Sequence, residues 1–143
     1  MRIRDILREK GPTVITIAPE LPLQDALHVL AENNIGALVV FDGSIRGIIS
    51  ERDLLRRAAR DLSGLARAQV RDAMTVDVVT AAPDADIRDV MDIMTEHRIR
   101  HLPVLEDAHL VGIISIGDVV NALRSTVESE NRFLHAYIHG QPL

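Results

Sequence analysis

Apolar residues recur along the chain with two different spacings, and the switches between them mark the elements. Leu23, Leu27 and Leu30 share one helical face, as do Ile87, Met91 and Met94, so helices are predicted over 21–33 and 84–98. Asp84 suits the N-cap of the second helix, with Asp86 near the positive end of its dipole. Short β-rich runs at 14–18 and 76–81, stopped by Pro19 and Pro83, precede these helices. After each helix come an apolar run (37–41, 101–105), a turn (Asp42-Gly43-Ser44, Glu106-Asp107-Ala108) and a second apolar run (45–49, 110–114). Ser50 and Ser115 stand where the last strand gives way to a helix beginning near Asp53 or Asp118. The unit reads βαββα, and it is present twice.

The duplication is also written in the residues themselves. Gly47-Ile48-Ile49-Ser50 followed by Asp53 recurs as Gly112-Ile113-Ile114-Ser115 followed by Asp118, at an offset of 65. Pro19 and Pro83 lie 64 apart, as do Ile35 and Ile99, while Ile3-Arg4-Asp5 matches Val70-Arg71-Asp72 at 67. The drift places extra residues in the loops at 8–12 and 106–109. Repeat 1 is thus assigned to 1–62, a linker holding Ser63-Gly64 to 63–69, repeat 2 to 70–127 and a helical tail to 128–143. A sheet with helices on one face leaves its other face bare, so the two repeats are expected to pack sheet to sheet. The expected fold is α/β (α+β), with pseudo-twofold symmetry and clefts between the repeats.

Composition narrows the possible functions. Hydrophobic residues make up 47% of the 143 and charged residues 26%, which is globular composition. With no cysteine, disulfides, thiolate metal sites and cysteine nucleophiles are excluded. The N-terminal residues carry no apolar signal region, and the longest apolar runs are too short to span a bilayer, so a cytoplasmic protein without membrane contact is expected. A net charge of −5 repels a phosphate backbone, and one Tyr, two Phe and no Trp offer little for base stacking. Nucleic acid is not an expected partner.

The repeated motif carries chemistry. A serine at a strand end, with an aspartate three residues later, presents a hydroxyl and a carboxylate at a helix entrance. The carboxylate can accept hydrogen bonds from a vicinal diol such as ribose, and free N–H groups at the helix start favour an anion. The same residues suit plain N-caps, but two copies in matching register favour a ligand role for Ser50, Asp53, Ser115 and Asp118. Repeat 2 adds Arg98, Arg100 and His101 where repeat 1 has Asn34, Gly36 and Ala37. On a strand the two arginines would share one side and converge on a phosphate, and His101 would help when protonated. Gly36 and Ala37 leave room for a flat adenine ring, and Arg52 is a further phosphate candidate where repeat 2 has Gly117.

Other features point elsewhere. His97 with His101 and His135 with His139 have helical metal spacing, but the first pair falls across a helix-to-strand junction and the second has no third ligand nearby. Neither serine has a histidine and aspartate arranged for nucleophilic catalysis, and the glycines fit no Walker or dinucleotide fingerprint. Met74, Met91 and Met94 read as core filler. Val120, Leu123, Val127, Leu134, Tyr137 and Ile138 form an interrupted apolar stripe that either folds back over the repeats or meets a second copy.

The order of elements and the two Gly-Ile-Ile-Ser-x-x-Asp motifs resemble the CBS-domain family, and the segment from Met94 to Val104 resembles the second repeat of small stand-alone bacterial members. The resemblance covers nearly the whole chain. It implies a regulatory module that binds an adenine nucleotide (AMP, ADP, ATP or NAD), with no required cofactor, no catalytic residue and no metal. The nucleotide contacts it implies include Thr13, Val14, Ile99 and Pro103 beside the residues named above. It also implies a homodimer and an unidentified protein target. A small enzyme of nucleotide metabolism and a structural module with empty clefts are the alternatives.

Overall fold

The computed structural model describes residues 1–11 and 13–140, so Pro12 in the first insertion and residues 141–143 of the tail lie outside the described residues. Repeat 1 runs α1 (Ile3–Lys10), β1 (Thr16–Ile17), α2 (Leu23–Asn33), β2 (Ala37–Phe41), β3 (Ile45–Ser50) and α3 (Glu51–Arg60). Two short helices, α4 (Gly64–Arg67) and α5 (Val70–Ala73), lead into α6 (Ile87–His97), β4 (His101–Glu106), β5 (His109–Ser115) and α7 (Ile116–Ile138). β1 lies parallel to β2, and β2 pairs antiparallel with β3. β4 and β5 form the matching antiparallel pair.

The first strand of each repeat is shorter than the sequence suggests. In repeat 2 the run 76–81 keeps one bridge, Ala81 beside Val104. The cause is competition for backbone partners: Thr75 exchanges both of its hydrogen bonds with Ile48 on the edge of β3, which draws this end of the run toward the other repeat. The cap of α6 also differs from the expectation. Asp86, not Asp84, accepts the Arg88 N–H at 2.8 Å, while Asp84 is drawn away to pair with Arg2 and Arg4.

β2 and β4 do not alternate because both of their faces are covered. Leu38 and Val40 point into the repeat 1 core with Leu23, Ala26, Leu30 and Ile49; Leu102 and Val104 point into the repeat 2 core with Ile87, Val90, Met94 and Ile114. On the opposite faces Ala37, Val39 and Pro103 are buried as well, as sheet-to-sheet packing requires. Asn34 and Arg98 close α2 and α6 in the same left-handed conformation, with φ of 52° and 54°. Asparagine takes this conformation readily, whereas arginine pays roughly 1–2 kcal/mol for it.

The two repeats exchange their opening segments. Ile3 and Ile6 of α1 belong to the core of repeat 2, and Val70 of α5 belongs to the core of repeat 1. Ile3 and Arg4 donate their N–H groups to Ala85 and Pro83, just as Val70 and Arg71 donate to Leu21 and Pro19. Glycine makes each docking possible. A Cβ on Gly112 would lie 2.4 Å from Leu7 Cδ2, and one on Gly47 would lie 2.7 Å from the Thr75 carbonyl oxygen. The 63–69 segment is ordered, with Ala68 buried and its carbonyl accepting the Leu23 N–H.

Candidate functional site

A cleft of about 790 Å3 opens between the repeats, and both build it. Repeat 1 contributes Gly36, Ile48, Ser50, Glu51, Arg52, Asp53, Leu55 and Arg56; repeat 2 contributes Thr75, His97, Arg98, Ile99, Arg100 and His101.

Local structure fixes each part. Ser50 caps α3, and Asp53 Oδ2 takes the Ser50 N–H at 2.8 Å and the Ser50 hydroxyl at 3.0 Å. This capping box engages one carboxylate oxygen and leaves Oδ1 without a protein partner among the described residues. Arg52 and Arg56 lie one turn apart on α3, which places both on one face. Arg98 and Arg100 are not on a strand, in contrast to the expectation: β4 begins only at His101. They sit in the bend that the left-handed end of α6 creates, and the Arg100 carbonyl accepts the Ile116 N–H at 2.8 Å. The matching bond in repeat 1 runs from the Glu51 N–H to the Gly36 carbonyl at 3.0 Å.

The cleft is strongly basic. Four arginines, Arg52, Arg56, Arg98 and Arg100, line it beside Glu51 and Asp53, and none of the four pairs with a carboxylate among the described residues. An anion is the natural counterpart of unpaired arginines gathered in one concave site.

His101 lies where the two repeats meet. A Cβ on Gly36 would stand 3.2 Å from its ring, so the small residue on one side makes room for the imidazole on the other. Burial pushes the His101 pKa below its ordinary value and Lys10 and Arg100 push the same way, opposed by Glu51 and Asp118. The net direction makes His101 harder to protonate than an ordinary histidine. Because its folded pKa lies below the unfolded value of 6.5, the unfolded chain binds more protons in the window just below 6.5. Stability is full above that window and falls as pH drops through it. Melting temperature measured from about pH 7 down to about pH 5 should fall more steeply for the wild type than for His101→Gln. Parallel curves would remove His101 from this role.

The remaining sequence candidates are placed elsewhere. Ala37 and Pro103 are buried between the sheets, Thr13 is exposed, and Val14 is half-buried ahead of β1; none of them lines this cleft. Ser115 and Asp118 form the same capping box at the start of α7, at the pseudo-symmetric position. Arg98, Arg100 and His101 line a cleft with Asp53, across the repeat boundary. The Asp118 carboxylate instead holds Lys10, with Nζ 2.8 Å from Oδ2. Burial raises its pKa, but the hydrogen bonds from Lys10 and Ser115 outweigh that and hold it below the usual carboxylate range.

Sequence reasoning missed Glu51, Arg56, Thr75 and Lys10. Arg56 was readable as the residue one turn beyond Arg52; Lys10 had no local signal, because its partner is a hundred residues away. Among the described residues no group of three metal-ligating side chains forms, and no helix is long and apolar enough to cross a membrane. At the end of α7, His135 and its C-cap His139 stack edge to face with ring centroids 4.2 Å apart.

Two duplicated βαββα units, locked together by exchanged opening helices and sharing a basic cleft, define a paired-repeat module. The chain belongs to the CBS-domain family, whose profile matches residues 3–60 and 70–125. It is 34% identical to the mitochondrial CBS domain-containing protein CBSX3 of Arabidopsis thaliana, over 96% of this chain and 72% of that one. The crystal structure of the CBS-domain containing protein ATU1752 from Agrobacterium tumefaciens superposes with a TM-score of 0.83 at 40% identity, covering 85% of this chain and 98% of that one. The CBS domain pair of protein MJ0100, solved in complex with 5'-methylthioadenosine and S-adenosyl-L-methionine, superposes at 0.76 with 25% identity, covering 88% and 98%.

Proposed function

We propose that this chain is a regulatory module, not an enzyme, that binds an adenosine nucleotide (AMP, ADP, ATP or NAD) in the cleft between Asp53 and the segment 98–101. The observation that carries this reading is a single cleft lined by four arginines, none of them paired with a carboxylate among the described residues, with Asp53 Oδ1 likewise without a partner there. The arginines suit phosphate, and Asp53 Oδ1 suits the ribose diol. The adenosine compounds bound by the MJ0100 pair support the nucleoside part of the reading. The basic lining favours a phosphate over the sulfonium of S-adenosyl-L-methionine. A nucleotide seated there touches both repeats, so its binding energy biases how they pack, and an unidentified protein target would read that change. Two copies pairing through α7 would cover Phe133, Leu134, Tyr137 and Ile138, which are exposed along the helix instead of folded back on the repeats.

Thermal melting tests the ligand class. A ligand bound only by the native state stabilises it by about 2.7 kcal/mol at a hundredfold over Kd. For a chain of this size that raises Tm by roughly 5–10 °C. AMP or NAD should give such a shift, and S-adenosyl-L-methionine a smaller one. The absence of any shift with every adenosine compound at millimolar concentration would overturn the proposal.

A further inference from the structure

The pseudo-symmetric mate of the Ser50–Asp53 helix entrance is Ser115 with Asp118, and the chain places one of its own side chains there. Lys10, the last residue of α1, donates to Asp118 Oδ2 at 2.8 Å and to the Ile113 carbonyl at 2.9 Å. The same carboxylate oxygen accepts the Ser115 N–H at 2.9 Å. Lys10 is held there by the docking of α1, since Ile3 and Ile6 are anchored in the core of repeat 2. Repeat 1 has no counterpart among the described residues: α5 ends at Ala73 where α1 runs on to Lys10, and no lysine or arginine pairs with Asp53.

We infer that Lys10 is a built-in occupant of the second cleft, so that each chain takes one ligand, at Asp53, and exposes Asp118 only when Lys10 leaves it. This rests on the nucleotide reading above. The ammonium engages the carboxylate that a ribose diol would need, and the two cannot share it without giving up hydrogen bonds. The opened cleft also differs chemically from the first. Where the basic cleft has Arg98, Arg100 and Arg52, the second has Asn34, Gly36 and Gly117 at the equivalent positions. Freed of Lys10, it offers a diol acceptor without a phosphate clamp and takes adenosine in preference to AMP.

Calorimetric titration of the full chain with adenosine and with AMP tests this, using Lys10→Met to keep the aliphatic stem of the side chain. The wild type should bind one equivalent of either ligand. Lys10→Met should gain a second equivalent of adenosine but not of AMP, and Lys10→Met with Asp118→Ala should return to one. Two equivalents in the wild type, or one adenosine in Lys10→Met, would overturn the inference. A wild type that binds neither ligand overturns the nucleotide reading instead, and amide hydrogen exchange then judges the contact alone. Faster exchange at Ser115 and Asp118 in Lys10→Met supports Lys10 as occupant of that cleft, and unchanged exchange refutes it.

Discussion

Replacing Arg100 by alanine should weaken AMP binding roughly ten- to over a hundredfold and leave adenosine almost untouched. The range follows from a charge-assisted hydrogen bond, worth about 1.5–3 kcal/mol, with each 1.4 kcal/mol a factor of ten. Arg100 faces the cleft without a carboxylate partner among the described residues, so the substitution orphans no buried group of the protein. The loss therefore reports on the ligand. Its backbone position is independently held by the bond from Ile116, which the substitution keeps. Asp53→Ala should instead weaken AMP and adenosine alike, since both carry the diol, and Asp118→Ala should leave wild-type AMP binding intact because that carboxylate lies outside the cleft. Titrating the three variants with both ligands makes the comparison. Equal losses of AMP and adenosine in Arg100→Ala would mean that the arginine shapes the cleft and does not hold phosphate.

Much of this was legible from the chain because it is encoded locally. The helical spacing of Leu23, Leu27 and Leu30, the turn at Asp42-Gly43-Ser44 and the capping pair Ser50 and Asp53 each depend on neighbours within a few residues, and each element lies where its pattern put it. The difference in charge between 98–101 and 34–37 was likewise readable, and all four residues of 98–101 line one cleft. What the chain did not disclose is pairing across the pseudo-twofold. The carboxylate that shares a cleft with Arg98 and Arg100 belongs to the other repeat, because each helix entrance faces across the interface. The run 76–81 was read as a strand of its own repeat, yet Thr75 at its head pairs its backbone with Ile48 of the other repeat. Lys10 fell in the 8–12 loop of the sequence reading, with nothing local to mark it, whereas in the structure it is the last residue of α1. Tertiary docking of α1 decides these cases, and it leaves no periodic trace.

That docking predicts an outcome that repeat boundaries drawn along the sequence would not. Ile3→Ala, a change in the third residue of repeat 1, should destabilise repeat 2. Ile3 has no exposed surface and packs in the cluster of Leu102, Val104, Ile114 and Met94. Truncating a fully buried isoleucine costs about 2–5 kcal/mol through lost transfer energy and the cavity left behind. At about 2–4 °C per kcal/mol, the melting temperature should fall by roughly 4–20 °C. The location of the damage is the sharper reading. Amide exchange should accelerate in β4 and β5 while β2 and β3 stay protected, since Ile3 touches the core of only the second repeat. Val70→Ala supplies the mirror experiment: it removes a buried side chain of α5 from the core of repeat 1 and should loosen β2 and β3. Its cost should be smaller, because valine has one methylene fewer to lose. If Ile3→Ala left stability within the ordinary scatter of surface substitutions, about 0.5 kcal/mol, or loosened β2 and β3 first, the exchanged arrangement of the opening helices would be wrong. Lys10 would then have no anchor holding it at Asp118, and the asymmetry between the two clefts would lose its structural cause.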